Sequence, residues 1–177
     1  MPVCLTSFLR RAAAAVVPPC CAICSSACDA TELLCGDCAE RIRVPRVISA
    51  GPPGVELAIA AGEYEGALRE LAHALKFGRR LALATVAAEA IVAACPEPML
   101  VGSIVPVPPA QVRWAWRGFD PAEELALALA AQTGLPLSRC LRRRGASRQV
   151  GRPREARLGD PPRVRVRGSA PERAVLV

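Results

Sequence analysis

The sequence predicts an α/β protein with a mainly parallel sheet, preceded by a small cysteine-rich module. Three observations predict it. From Leu57 onward, short apolar stretches of strand character alternate with stretches of helical period. Six of the nine cysteines crowd between Cys20 and Cys38. The chain has 177 residues, 52% of them hydrophobic and 22% charged, which suits one domain with a real core plus a small module.

The elements follow in order. Residues 5–17 read as a short helix ended by Pro18 and Pro19. The apolar run Ala12 to Val17 after Arg10-Arg11 is too short for an export signal, and no cleavage-type sequence follows it. No apolar run approaches the roughly 18 residues that a membrane helix needs. The expected location is therefore the reducing cytoplasm, where clustered cysteines bind metal more readily than they form disulfides.

Pro45, Gly51, Pro52, Pro53 and Gly54 make residues 43–56 a linker between a module at 1–45 and a domain at 57–177. Leu57 to Ala61 reads as a strand. In "YEGALRELAHALKFGRR", Leu68, Leu71, Ala72 and Leu75 recur at i, i+3, i+4 and i+7, a helix stripe stopped at Gly78. His73 beside that stripe reads as helix packing. Leu81 to Cys95 reads as a second helix, ended by Pro96.

Ser103 to Val107, within "GSIVPVPP", reads as a buried strand entering a proline-bounded loop. Pro121 to Thr133 is a helix with Gly134 as its stop. Leu137 to Leu141 reads as a strand, and residues 142–162, rich in Arg, Gly and Pro, as a mobile loop. Arg163 to Arg167 alternates Arg with Val, and Ala174 to Val177 reads as the last strand.

"CAICSSACDATELLCGDC" holds Cys21-x2-Cys24, a ten-residue spacer and Cys35-x2-Cys38. Each knuckle offers two thiolates on a tight turn, and two knuckles close a tetrahedron around zinc. Gly36 suits a knuckle whose amides turn toward sulfur. Cys20 and Cys28 compete as ligands, and Cys20 would pair with Cys24 at x3 spacing, but Cys21 makes the two knuckles match. Four sulfur ligands leave no open position, so such a zinc is structural. Only Arg41 and Arg43 lie just beyond the ribbon, and no aromatic residue separates its knuckles, a thin basis for a nucleic-acid surface there.

Charge is unevenly placed. Residues 139–177 carry twelve arginines against Glu155, Asp160 and Glu172, a net of +9, whereas the whole chain is +7. An anionic partner would be met in the C-terminal part. Lys76 is the only lysine. Arginine suits bidentate capture of phosphate, although an Arg- and Ala-rich composition also arises from coding bias alone.

Four stretches in order carry a family resemblance: the Cys4 module after "VVPP", "YEGALRELAHALKFGRR", "IVPVPPAQVRWAWRGFDPAEELA" and "SRQVGRPREARLGD". Together they resemble the ComF family, associated with competence and DNA uptake. The resemblance covers about Phe8 to Val177. It implies an N-terminal zinc ribbon joined to a type I phosphoribosyltransferase-like domain, which would act as a glycosyltransferase on phosphoribosyl pyrophosphate, with magnesium only where the phosphate-binding loop is present.

On that resemblance, the loop after Pro106-Val107-Pro108, with Arg113 and Arg117, would face pyrophosphate. Arg148, Gln149 and Arg157 would lie on a closing loop, and Lys76 is a further substrate-binding position. Asp120 stands where the family usually has Asn and keeps the ability to cap the helix that follows. Glu123 matches an acidic position, or forms a surface ion pair with Arg117. Trp114 and Trp116 read as buried rather than stacked on a base. Single-stranded DNA or the uptake machinery are the partners implied.

Such domains hold ribose and the 5-phosphate with an acidic pair and a Thr/Gly-rich turn into a helix N-terminus. No acidic pair followed by such a turn occurs in these residues, and Glu123-Glu124 lie inside a helix. The domain is therefore expected to be incomplete at its C-terminal end, and catalysis is not expected of it. The other reading is a zinc-ribbon module that binds nucleic acid or protein without enzymatic activity, or a fragment without function.

Overall fold

Residues 19–42, 47–51, 54–96, 99–110, 115, 117–145, 151, 153–161 and 163–177 are described by a computed structural model of the chain. The helix expected at residues 5–17 lies outside them. The chain divides into two units, residues 1–94 and 95–177.

In the first unit, the cysteine module runs into a short helix, α1 (Gly36–Ile42). Strands β1 (Val47–Ala50) and β2 (Leu57–Ala60) pair antiparallel, Val47 opposite Ala60 and Ala50 opposite Leu57. The Pro/Gly-rich segment expected as linker therefore contributes a strand. Helices α2 (Gly66–Phe77) and α3 (Leu83–Ala94) follow. Helix α1 packs on α2, α2 on α3, and α3 on β2.

Helix α2 buries Ala67, Leu71 and Leu75, a stripe at i, i+4 and i+8. Leu68 and Ala72, expected on that stripe, are half-buried at its edge. Helix α3 is apolar nearly all round and fully buries Leu83 and Ala88. Helix α2 stops at Gly78, where the sequence places its end, and the residue after it, Arg79, is left-handed (φ 52°). Gly78 keeps right-handed geometry, and its N–H bonds the Ala74 carbonyl.

In the second unit, β3 (Ser103–Val105) is central. On one side it pairs in parallel with β6 (Ala174–Leu176), Ile104 opposite Val175. On the other it forms a parallel bridge to Leu137. Ile104 and Val105 are accordingly buried. The pairing runs past the strand's formal end: Val177 N–H donates to the Val105 carbonyl and Val107 N–H to that of Val177. Pro106 interrupts without harm, because alternate residues point to opposite edges and its missing N–H faces away from β6.

Helix α4 (Pro121–Thr133) packs on β3 and buries Ala126 and Leu129. Asp120 caps it, its carboxylate accepting from Ala122 N–H at 3.0 Å, and Gly134 ends it in the left-handed region (φ 72°). Both ends stand where the sequence placed them.

Leu137 forms only the bridge, and the next strand starts later, at β4 (Leu141–Arg144). It pairs antiparallel with β5 (Arg163–Val166). Part of the expected 142–162 loop is thus strand, and another part is a short helix, α5 (Arg154–Gly159). The fold is mixed α/β, but the mainly parallel sheet is not found. Among the described residues there are three two-stranded sheets, and only β3–β6 is parallel. The segment from Gly51 to Glu56 between β1 and β2 is far shorter than the dozen or so residues a parallel crossover needs. Between β4 and β5 the one described helix, α5, is too short to serve as a crossover helix.

Candidate metal centre

The first knuckle is a tight turn. Ser25 N–H bonds the Cys21 carbonyl at 3.0 Å, Cys21 N–H bonds that of Ser26 at 2.8 Å, and Ser25 takes a left-handed φ of 62°. This curl brings Ile23 N–H to the Cys21 Sγ at 3.4 Å. A bridge from Cys20 to Ala27 closes the loop.

The second knuckle uses a helix start instead. The Cys35 carbonyl accepts from Ala39 N–H at 3.0 Å, which makes Cys35 the N-cap of α1. Gly36 is not needed for space, since a β-carbon there would meet nothing within 4 Å. Ala22 N–H to the Leu33 carbonyl, at 2.8 Å, joins the two knuckles.

Among the described residues, Cys21, Cys24, Cys35 and Cys38 alone form a cluster able to hold a metal ion, their sulfurs all within 4.8 Å of one another. Cys24 Sγ stands 3.6 Å from Cys35 Sγ. A tetrahedral site with metal–sulfur bonds of about 2.3 Å has sulfur–sulfur edges of about 3.8 Å, so the set fits with small adjustments. Cys21 and Cys38 are buried and Cys24 is exposed, so the centre backs onto the core and opens at one corner.

The competing cysteines stand apart from this set. Cys20 is exposed, and Cys28 turns its sulfur toward the Glu32 carbonyl at 3.8 Å. Leu34 and Ile42 anchor the module in the core, and Arg80 Nη1 reaches the Cys21 carbonyl at 3.4 Å.

As free thiols the four are unequal. The hydroxyl and amide of Ser26 pull Cys24 down to about 6. Burial pushes Cys38 up to about 12. At Cys21 burial works upward, but the amides of Cys24, Cys35 and Ile23 outweigh it and lower the value. At Cys35 the Cys38 amide works downward, yet hydrogen bonding with Cys24, together with burial, leaves the thiol raised. Ser26 and Arg80 support the centre and were not singled out from the sequence. A serine two positions beyond a ligand was the available signal for the first, whereas nothing local signals the second.

The other expected site residues are not gathered in the same way. Lys76 sits in the last turn of α2, 6.0 Å from the Tyr64 ring centroid, a cation–π distance. Arg117 is half-buried ahead of Gly118 (φ 74°), and its charge favours the ionised form of Asp120. Glu123 pairs with Arg139, whose Nε approaches one carboxylate oxygen at 2.5 Å and whose Nη2 meets the same oxygen. His73 is exposed and stacks on Phe77, ring centroids 4.7 Å apart, rather than packing in the core. Arg113, Arg148 and Gln149, with Trp114 and Trp116, lie outside the described residues, as does the Arg157 side chain on α5. No described helix is long and apolar enough to cross a membrane. No family model, no curated protein and no solved structure matches the chain.

Proposed function

We propose that the chain is a ComF-like protein of the cytoplasm: a structural zinc ribbon joined to an α/β part of phosphoribosyltransferase-like character, accessory to DNA uptake. The observation that carries this reading is the Cys21–Cys24–Cys35–Cys38 cluster. Four sulfurs within 4.8 Å of one another suit zinc, and a fully protein-ligated ion builds structure rather than catalysing. Zinc bound there would hold α1 and the knuckle loop together. Phosphoribosyl pyrophosphate with magnesium is the ligand that the family resemblance assigns to the α/β part, near Arg117.

The second reading is a zinc-ribbon module that binds nucleic acid or protein and catalyses nothing. The closed ligand set and the +9 balance of residues 139–177 favour it. Metal analysis of the purified chain should find one zinc per chain, and a chain folded without metal would overturn both readings. Because the ribose- and phosphate-holding turn is missing from these residues, calorimetry with phosphoribosyl pyrophosphate and magnesium should show at most very weak binding, and micromolar binding would refute that. Nucleic-acid filter binding at two salt concentrations separates the two readings, since a real set of phosphate contacts gives a steep salt slope.

A further inference from the structure

The register of the β4–β5 hairpin sets arginine opposite arginine twice. Arg142 faces Arg165, and Arg144 faces Arg163. Directly opposed residues share a face, as do residues two apart along a strand. All four therefore stand on one face, and all four are exposed. Opposed β-carbons lie about 5 Å apart, and successive pairs are about 7 Å apart along the strands.

Among the described residues none of the four forms an ion pair; the pairs present are Arg69–Glu70 and Arg139–Glu123. Like charges directly opposed weaken a sheet. This hairpin carries two such pairs in succession, an arrangement that an anion lying across them would relieve. A depression of about 530 Å³ lies beside the grid, lined by Arg144, Gly145, Arg163 and Arg165 among others.

We propose that Arg142, Arg144, Arg163 and Arg165 form a surface that binds the phosphate backbone of nucleic acid without reading its sequence. Each guanidinium can take a phosphate through two hydrogen bonds. A two-by-two grid takes several phosphates at once, which suits a linear polymer better than a single small anion. The strands' other side chains are Leu141, Arg143, Val164 and Val166, so they offer no aromatic platform and no amide for base edges. This surface deepens the DNA-handling part of the reading above, on which its biological meaning rests. It is independent of the metal centre.

The test uses the full, metal-loaded chain and a labelled oligothymidylate, with affinity measured by anisotropy between about 50 and 200 mM salt. The intact chain should bind with a steep salt slope. R163Q/R165Q should flatten that slope by about 1.4, and removal of all four arginines by about 2.8, at roughly 0.7 per phosphate contact on a single strand. The fourfold Arg→Lys variant should keep the slope, which separates lost charge from lost fold. R69Q/R79Q removes equal charge elsewhere and should leave it unchanged.

The proposal is overturned by an intact chain that does not bind, by hairpin variants with an unaltered slope, or by a control that loses as much. Tighter binding of inorganic polyphosphate per phosphate would also overturn it. Binding in solution together with normal DNA uptake in cells carrying the fourfold Gln variant would sink the uptake reading and leave the surface standing.

Discussion

The sulfur of Cys24, on a turn, lies 3.6 Å from the sulfur of Cys35, at the start of a helix eleven residues later. Two differently built knuckles thus present their thiols to one point. Replacing a buried ligand should therefore remove more than one bond. Cys21→Ser or Cys38→Ser should abolish stoichiometric zinc and unfold the knuckle loop and α1. Zinc affinities for comparable peptides, about 10–16 kcal/mol, are also folding energies. Metal analysis and a thermal melt of each variant check this. Cys20→Ser and Cys28→Ser should keep the metal.

Acid should release the metal. The bound form needs four thiolates, so binding expels protons and affinity falls as pH falls. Zinc release followed with a chromophoric chelator should rise steadily on acidification. Restoring neutral pH with added zinc should recover the fold. Release that does not depend on pH would contradict thiolate ligation.

The Arg173 carbonyl accepts from Ser103 N–H at 3.0 Å and leaves 2.2 Å for a β-carbon on Gly102, whose φ is 84°. Gly102→Ala would be strained in its backbone and would push β6 from β3. A loss of about 1–3 kcal/mol is expected, at the level of local backbone strain. Chemical denaturation measures it. Gly36→Ala, where a β-carbon meets nothing, should cost far less.

Burial pushes the Asp120 carboxyl above its ordinary range, against the pull of the Ala122 and Glu123 amides. A folded value above the unfolded one means that ionised Asp120 costs stability at neutral pH. That cost disappears as pH falls through the folded value. Asp120→Asn keeps the cap without the charge, so it should raise the melting temperature at neutral pH and not in acid. Asp120→Ala loses the cap and should cost about 1 kcal/mol. Paired melts at the two pH values test both.

Arg139 and Glu123 meet at the surface, with the arginine side chain 59% exposed. A double-mutant cycle should give a coupling below about 1 kcal/mol that shrinks with added salt. A large, salt-insensitive coupling would mark this pair as part of a buried site.

Local chemistry made much of this protein legible from its sequence. Cysteine spacing named the four cysteines that the fold gathers into one cluster, because a knuckle is a turn of a few residues. Asp120, Pro121 and Gly134 bounded α4, because capping and stop signals act within one turn. Apolar period placed α2, a stretch ended by Pro96 placed α3, and the buried strand read from Ser103 to Val107 is buried at Ile104 and Val105, where both edges of β3 are covered. Strand partners belonged to the tertiary structure. Whether Arg163–Val166 pairs parallel or antiparallel, and with which segment, depends on contacts distant in sequence, and the Arg/Val alternation looks the same in either case. The register that sets Arg142 against Arg165, the choice of Arg139 for Glu123, and the reach of Arg80 to Cys21 are likewise contacts across long separations. Only the folded chain brings those partners within a few ångströms, so only it could decide them.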